Sequence, residues 1–213
     1  MMPKILDKRL IILYIAPFFL GLLTVFTFQP FNFSFINFIT LPLIFYLTIY
    51  VKKRSKSIYR KKPYMKNLFL VGFMFGFGFY LSGIFWISYS LTFDENFKFL
   101  IPFAIIIIPL FLALFLGLTT LIVGQFLNYN FSSILLFSGS FGLSDYLRSK
   151  ILTGFPWNLW GYSWSWVSEI LQTLNIFGLF AFNLIVITIF VMPAAIFFRK
   201  SIFKKITIFS ILF

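Results

Sequence analysis

Six long apolar stretches, each about the length needed to cross a lipid bilayer, constrain the fold of this chain more than any other feature. They cover approximately residues 10–28, 35–51, 67–91, 99–124, 131–148 and 170–198. Lipid offers no partners to backbone N–H and C=O groups, so a crossing segment of about 20 residues must be helical. A soluble domain could not hide this surface, because 61% of the residues are hydrophobic and only 11% are charged. We therefore predict a single all-α integral membrane domain, a bundle of about six transmembrane helices.

Positive charge is clustered in three places, which predict how the chain crosses the membrane. Basic residues precede the first stretch, at Lys4, Lys8 and Arg9, and follow the sixth within residues 199–205. The largest cluster contains no acidic residue and consists of Lys52, Lys53, Arg54, Lys56, Arg60, Lys61, Lys62 and Lys66. From a cytoplasmic N-terminus, six crossings place all three clusters inside, in agreement with the positive-inside rule. We interpret the net charge of +13 as an orientation signal and expect no nucleic-acid partner.

The last eight residues, 206–213, begin a further apolar stretch. As a helix they would span about 12 Å, less than half of the hydrocarbon core. We therefore predict the start of a seventh span, and we expect the chain to be a fragment, a truncated product or the product of a split gene.

The residue types present exclude several kinds of chemistry. The chain contains no cysteine and no histidine, so it has no thiolate nucleophile, no imidazole base and no Cys/His metal site. Asp145 and Glu169 are carboxylates of the kind that can act as general acid and base, but no nucleophile accompanies them. We predict no catalytic residue, no metal site and no cofactor in this chain.

Three glycines in the third stretch share one helix face. Gly72, Gly76 and Gly83 are spaced four and then seven residues apart. Small residues on one face let helices approach closely in lipid. We predict that they pack against a neighbouring helix; a groove for a lipid or another ligand is the alternative.

The segment 141–166 is the least lipid-like part of the chain. Asp145 and Arg148 lie three residues apart and so share a helix face. Charges near membrane depth need a partner. We expect either an internal ion pair that anchors the following loop or contact with the phosphate of an anionic lipid.

Aromatic residues dominate the loop that follows. Trp157, Trp160, Trp164 and Trp166 fall within ten positions of one another, as in an interfacial aromatic belt. Trp157 has a second interpretation, because Gly154 and Pro156 build a constrained turn that would hold Phe155 and Trp157 in place.

Four segments together resemble the apolipoprotein N-acyltransferase family. They are LSDYLRSKILTGFPWNLWGYS at 143–163, LQTLNIFGL at 171–179, APFFLGLLTVFTFQPF at 16–31 and GFMFGFGFYLSGIFWI at 72–87. The resemblance follows the family's order along essentially the whole chain, and TGFPW followed by GYS is its most specific part. Asp145 stands where the family usually has Glu, and Tyr146 where it often has Trp.

The resemblance implies a multi-pass protein of the bacterial cytoplasmic membrane that moves an acyl chain from a phospholipid to the N-terminal diacylglyceryl-cysteine of a lipoprotein. It also implies a nitrilase-like domain outside the membrane, after the seventh span, with catalytic Glu, Lys and Cys. That domain is absent from this sequence, so no catalytic residue carries over. Phe155, Pro156 and Trp157 resemble the family loop beneath the active site, where lipid tails enter.

These implications give a hypothesis and an alternative. The chain is expected to be the N-terminal membrane part of such an acyltransferase, inactive alone, with membrane phospholipids as partners and a lipoprotein substrate only where a catalytic domain is supplied. The alternative is a non-catalytic membrane scaffold or a transporter subunit. A transporter typically carries polar residues in several spans and internal repeats, whereas Asn175 and Asn183 are isolated here and can be satisfied by helix–helix hydrogen bonds.

Overall fold

The described part of the chain, residues 8–54, 65–151 and 154–198 of a computed structural model, is a bundle of helices without strands. Its six long helices, labelled α1 to α6 in chain order, are Lys8–Thr27, Ser34–Arg54, Met65–Gly83, Glu95–Val123, Phe131–Arg148 and Leu174–Ile196. Short 3-10 segments open or close α1, α2, α4 and α6, and α1 contains a π-helical segment at Ile11–Ile15. The prediction of an all-α membrane bundle is confirmed.

Five of these helices are long and apolar enough to cross a membrane, namely α1 to α4 and α6. The exception is α5, which has 18 residues but carries seven Ser and Gly residues between positions 132 and 144. Small and polar side chains suit a helix that faces protein neighbours more than lipid. Several of them, including Ser133, Ser138 and Ser144, are buried in the bundle.

Two of the predicted spans end or break earlier than expected. The third was predicted to continue to residue 91, but α3 ends at Gly83 and a 3-10 segment, Phe85–Thr92, follows. The sixth was predicted as one helix from 170 to 198, but a separate short helix, Ser168–Gln172, precedes α6. Inside α6 the backbone of Gly178 is not helical, with φ 70°. The predicted seventh span and the basic residues at 56–62 and 199–205 lie outside the described residues.

Contacts at the two ends of α2 define the two ends of the bundle. At its C-terminus, Lys52 Nζ donates to the carbonyl of Leu127, 2.6 Å away, in the turn between α4 and α5. At its N-terminus, Ser34 Oγ donates to the carbonyl of Ser163 at 2.6 Å and accepts from Trp166 Nε1 at 3.0 Å. We call the first the basic end, defined by Lys8, Arg9, Lys52, Lys53, Arg54 and Lys66, and the second the loop end, defined by the described residues of 149–167.

Glycines set how closely three of the helices approach. A Cβ on Gly72 would lie 2.0 Å from Thr120 Oγ1, and one on Gly76 would lie 3.1 Å from Ala113 Cα, so both glycines face α4. Thr120 Oγ1 also donates to the carbonyl of Leu68 at 2.9 Å. A polar cross-link of this kind forms only where two helix backbones come close together.

The third predicted glycine has a different neighbour. A Cβ on Gly83 would lie 2.1 Å from Asn158 Nδ2 of the loop and 3.4 Å from Val25 Cγ2 of α1, so the closest neighbour of this glycine is the loop end. Two glycines that the pattern did not single out join α1 to α3: a Cβ on Gly21 or Gly78 would lie 2.1 Å from the carbonyl oxygen of Phe75 or Phe18. The end of α3 is therefore shaped by the loop that packs across it.

Candidate functional site

An ion pair buried at the end of α5 organises the loop end. Arg148 is the last residue of α5, and its Nη2 lies 3.1 Å from Asp145 Oδ1, one turn earlier. Both residues are 2% exposed. A buried charge is costly unless it is paired and hydrogen-bonded, and the three-residue spacing lets one helix supply both partners. The geometry favours the ion-pair interpretation over contact with a lipid phosphate.

The second oxygen of Asp145 extends this pair to α6. Asn183 Nδ2 donates to Asp145 Oδ2 at 2.8 Å, and Asn183 Oδ1 accepts from the backbone N–H of Gly161 at 2.9 Å. Asn183 is fully buried. One amide thus joins the carboxylate of α5 to the backbone of the loop, which explains why a polar residue stands in an apolar helix. The sequence indicated that an isolated Asn183 could be satisfied by helix–helix hydrogen bonds, and its bond to Asp145 of α5 is one; the partner itself was not identified from the sequence.

The guanidinium of Arg148 holds the turn at 154–157 by two hydrogen bonds. Its Nη1 donates to the carbonyl oxygens of Phe155 at 2.7 Å and Trp157 at 2.8 Å. The Phe155 N–H donates to the Arg148 carbonyl at 3.1 Å, so the chain folds back over the end of α5. Gly154 permits this path, because its φ is +76° and a Cβ there would lie 2.3 Å from the carbonyl oxygen of Ser149.

The turn places the three predicted loop residues differently. Phe155 is partly buried, whereas Pro156 and Trp157 are exposed. The Trp157 side chain is 52% exposed and meets Trp86 edge to face, with ring centroids 5.8 Å apart. The backbone of this turn is therefore tied to a buried ion pair while its aromatic side chain stays at the surface.

Tyr80 brings α3 into the same network. The guanidinium carbon of Arg148 lies 5.3 Å from the centre of the Tyr80 ring, a cation–π arrangement, and Tyr80 is 1% exposed. In the described part of the chain, Arg148 Nε has no hydrogen-bond partner. A small cleft of about 160 Å³ adjoins Arg148, Gly154 and Phe155.

The four loop tryptophans do not form one aromatic belt. Trp160 is 1% exposed and stacks on Phe79, with centroids 5.0 Å apart and planes 9° apart. It belongs to the protein core, so the belt interpretation was wrong for this residue. Trp164 is partly buried and stacks on Phe190, whereas Trp166 is 51% exposed. The sequence placed all four tryptophans at one end of the bundle, but it did not distinguish the buried tryptophan from the exposed ones.

An apolar groove of about 390 Å³ lies between α2 and α6, next to the loop end. Its walls include Phe38, Trp164, Phe182, Ile185 and Ile189. A groove of this kind suits hydrocarbon, because it presents little polar surface to pair with. In the same loop, burial raises the pKa of the Tyr162 phenol and the Arg148 guanidinium opposes this rise. Within the described residues, no group of acidic side chains that could hold a metal ion is found.

Comparison with known proteins gives one consistent result. Residues 20–192 match the family model of the apolipoprotein N-acyltransferase N-terminal domain. The chain is similar to the apolipoprotein N-acyltransferase of Brucella melitensis, 32% identical over 183 residues, which are 84% of this chain and 34% of that protein. The Rhodopseudomonas palustris protein of the same name is 31% identical over 190 residues, 89% of this chain and 34% of its own length. The chain spans about a third of the length of the curated relatives it matches.

Proposed function

The chain belongs to the apolipoprotein N-acyltransferase family by its N-terminal domain, and we propose on that basis that it is the membrane-embedded part of an enzyme that acylates lipoproteins. The reaction would transfer an acyl chain from a membrane phospholipid to the amine of an N-terminal diacylglyceryl-cysteine. The match over residues 20–192 carries this proposal, because it includes most of the six long helices and the whole Arg148-bound turn.

The geometry supports a positioning role for the loop end. The Trp157 side chain stands at the surface while Arg148 holds its backbone carbonyl, so the ring keeps a defined place beside any domain that covers this end. The apolar groove next to the loop end offers room for hydrocarbon. We propose that Phe155, Pro156 and Trp157 border the path by which phospholipid tails reach the reacting centre.

We propose that residues outside this sequence carry out the chemistry. The family resemblance implies a thioester on a cysteine, and these 213 residues contain no cysteine. We propose that this chain alone transfers no acyl group, and that residues outside this sequence supply the thiol and the catalytic Glu and Lys. The chain would contribute the membrane platform that seats them.

The family and the apolar helices indicate a multi-pass bacterial membrane protein. We further propose that it lies in the cytoplasmic membrane with its basic end inside. Because the chain has no cysteine, Lys53→Cys at the basic end and Phe93→Cys after α3 each create one unique thiol. A membrane-impermeant maleimide applied to intact spheroplasts should label Phe93→Cys, which is 92% exposed, and not Lys53→Cys. Labelling of both from one side would contradict the proposed orientation.

A chimera tests the function. This chain replaces the matched third of the Brucella melitensis acyltransferase, and mass spectrometry measures the acylated fraction of lipoprotein N-termini in cells depleted of their own enzyme. The chimera should acylate, and Trp157→Ala should lower its rate by roughly tenfold or more without changing its amount in the membrane. Trp166→Ala is the control, because that side chain is equally exposed, at 51%, but lies outside the turn.

Two results would count against the proposal. A chimera that inserts in normal amount but never acylates, while the parent enzyme works, would favour the scaffold or transporter alternative. Equal effects of Trp157→Ala and Trp166→Ala would remove the special role of the turn.

A further inference from the structure

A cleft at the basic end, opposite the loop end, has no place in the proposed acyl transfer. It has a volume of about 420 Å³ and lies where α1 begins, α2 ends and α3 begins. Among the described residues, its polar lining consists of Lys8, Arg9, Tyr50, Arg54 and Asn67. Three cations therefore converge on one cavity from two different helices.

The charged residues that line this cleft in the described part of the chain are all positive. None of the described residues that line it is acidic. The acidic residues that the structure describes lie elsewhere: Asp94 and Glu95 where α4 begins, Asp145 in the last turn of α5, and Glu169 in the short helix before α6. Asp7, the remaining acid, precedes Lys8 and lies outside the described residues. An anion in this cavity would meet positive charge from two helices.

The remaining lining residues that the structure describes are hydrocarbon. Ile12, Leu13 and Val51 form the wall toward the bundle interior, and the last two are each 3% exposed. Along α1 the lining changes within six residues from charged, at Lys8 and Arg9, to apolar, at Ile12 and Leu13. The charged residues lie outside and the apolar residues inside, which matches a lipid headgroup followed by its acyl chains. A soluble phosphate would find little to contact on the apolar inner wall.

We propose that this cleft binds the phosphate of an anionic phospholipid in the leaflet at the basic end. Lys8, Arg9 and Arg54 provide charge for the phosphate, and Tyr50 and Asn67 provide further polar groups at its edge. The Arg54 guanidinium carbon lies 5.5 Å from the centre of the Tyr50 ring, which keeps that cation beside the cleft. The lipid would secure α1 against α2 and α3. This site is separate from the acyl donor path and does not depend on the proposed function.

Lipid retention measured by native mass spectrometry tests the proposal on the full chain. The protein is released from detergent micelles that contain equal amounts of phosphatidylglycerol and phosphatidylcholine. We expect retention of phosphatidylglycerol, reduced about tenfold or more by Arg9→Gln with Arg54→Gln. The matched control is Lys53→Gln with Lys66→Gln, which removes the same charge from exposed residues at the same end that do not line the cleft, and should lower retention less than the first pair does. Equal losses in both variants would show diffuse attraction and overturn the site.

Two further arms use the unaltered protein, so that misfolding of a variant cannot obscure the answer. Phosphatidylglycerol with a photoreactive group near the start of its acyl chain should cross-link to the peptide that contains Ile12 and Leu13; cross-linking only elsewhere would overturn the proposal. Millimolar inorganic phosphate or glycerol phosphate should leave the lipid bound. Displacement by either would identify soluble phosphate as the ligand and would overturn the assignment to a lipid.

Discussion

Arg148→Met tests whether the buried ion pair holds the loop end together. The change removes the 3.1 Å contact with Asp145 and the two hydrogen bonds to the carbonyls of Phe155 and Trp157, at 2.7 and 2.8 Å. Removing one partner of a buried pair costs about 3–5 kcal/mol, because the other charge stays buried. The two carbonyls lie in a partly exposed turn that water can reach, so each adds about 0.5 kcal/mol. We expect Arg148→Met to lower the free energy of unfolding by about 4–6 kcal/mol.

A second substitution removes the charge at position 145 and keeps the shape of the side chain. Asp145→Asn keeps an acceptor for Asn183 and leaves Arg148 with its two carbonyls and the face of Tyr80. It should therefore cost about 1–2 kcal/mol less than Arg148→Met. Combining the two changes removes both charges, so the double variant should be more stable than Arg148→Met alone by about 2 kcal/mol.

Equilibrium unfolding in mixed micelles, followed by the fluorescence of the loop tryptophans, measures these differences. Lys150→Met is the matched control, because this cation stands two residues further along and is exposed. It should change the free energy of unfolding by less than about 0.5 kcal/mol. The reasoning is refuted if Arg148→Met falls within about 1 kcal/mol of Lys150→Met, or if the double variant is no more stable than Arg148→Met.

Three other substitutions follow from the packing. Gly72→Ala should destabilise the bundle by about 1–3 kcal/mol in the same unfolding assay, because its Cβ would lie 2.0 Å from Thr120 Oγ1 of α4. Gly139→Ala is the control and should not destabilise the bundle, because no atom lies within 4 Å of a Cβ there. Gly154→Ala, at φ +76°, should cost about 1–2 kcal/mol and speed proteolysis of the turn; an unchanged cleavage rate would contradict its role there. Trp160→Ala should cost about 3–5 kcal/mol, whereas Trp157→Ala, at 52% exposure, should cost about 1 kcal/mol; similar values would mean that their burial is misassigned.

Sequence reasoning found the long helices and the class of the protein because both follow from local pattern. The length of an apolar run can be counted in the sequence, and a run that crosses the lipid in this way must be helical. It also placed Asp145 and Arg148 on one helix face, since a three-residue spacing requires this wherever the helix lies. The glycine pattern in α3 indicated close packing for the same reason.

What remained hidden depends on segments that are distant in the chain. Asn183 reaches Asp145 across 38 residues, and the neighbour of Gly83 proved to be Asn158 in the loop. Trp160 and Trp157 have the same side chain and lie three residues apart, yet one is in the core and the other is half exposed.

The sequence by itself determined which segments are helical, that they belong in a membrane, and which charges share a face, because these properties arise within one or two helical turns. Only the tertiary structure decided which carbonyls Arg148 binds, where α3 stops and which tryptophan stays at the surface. Such outcomes depend on which helices become neighbours. A buried polar group takes whatever partner the packed bundle brings within about 3 Å, and no local spacing specifies that partner.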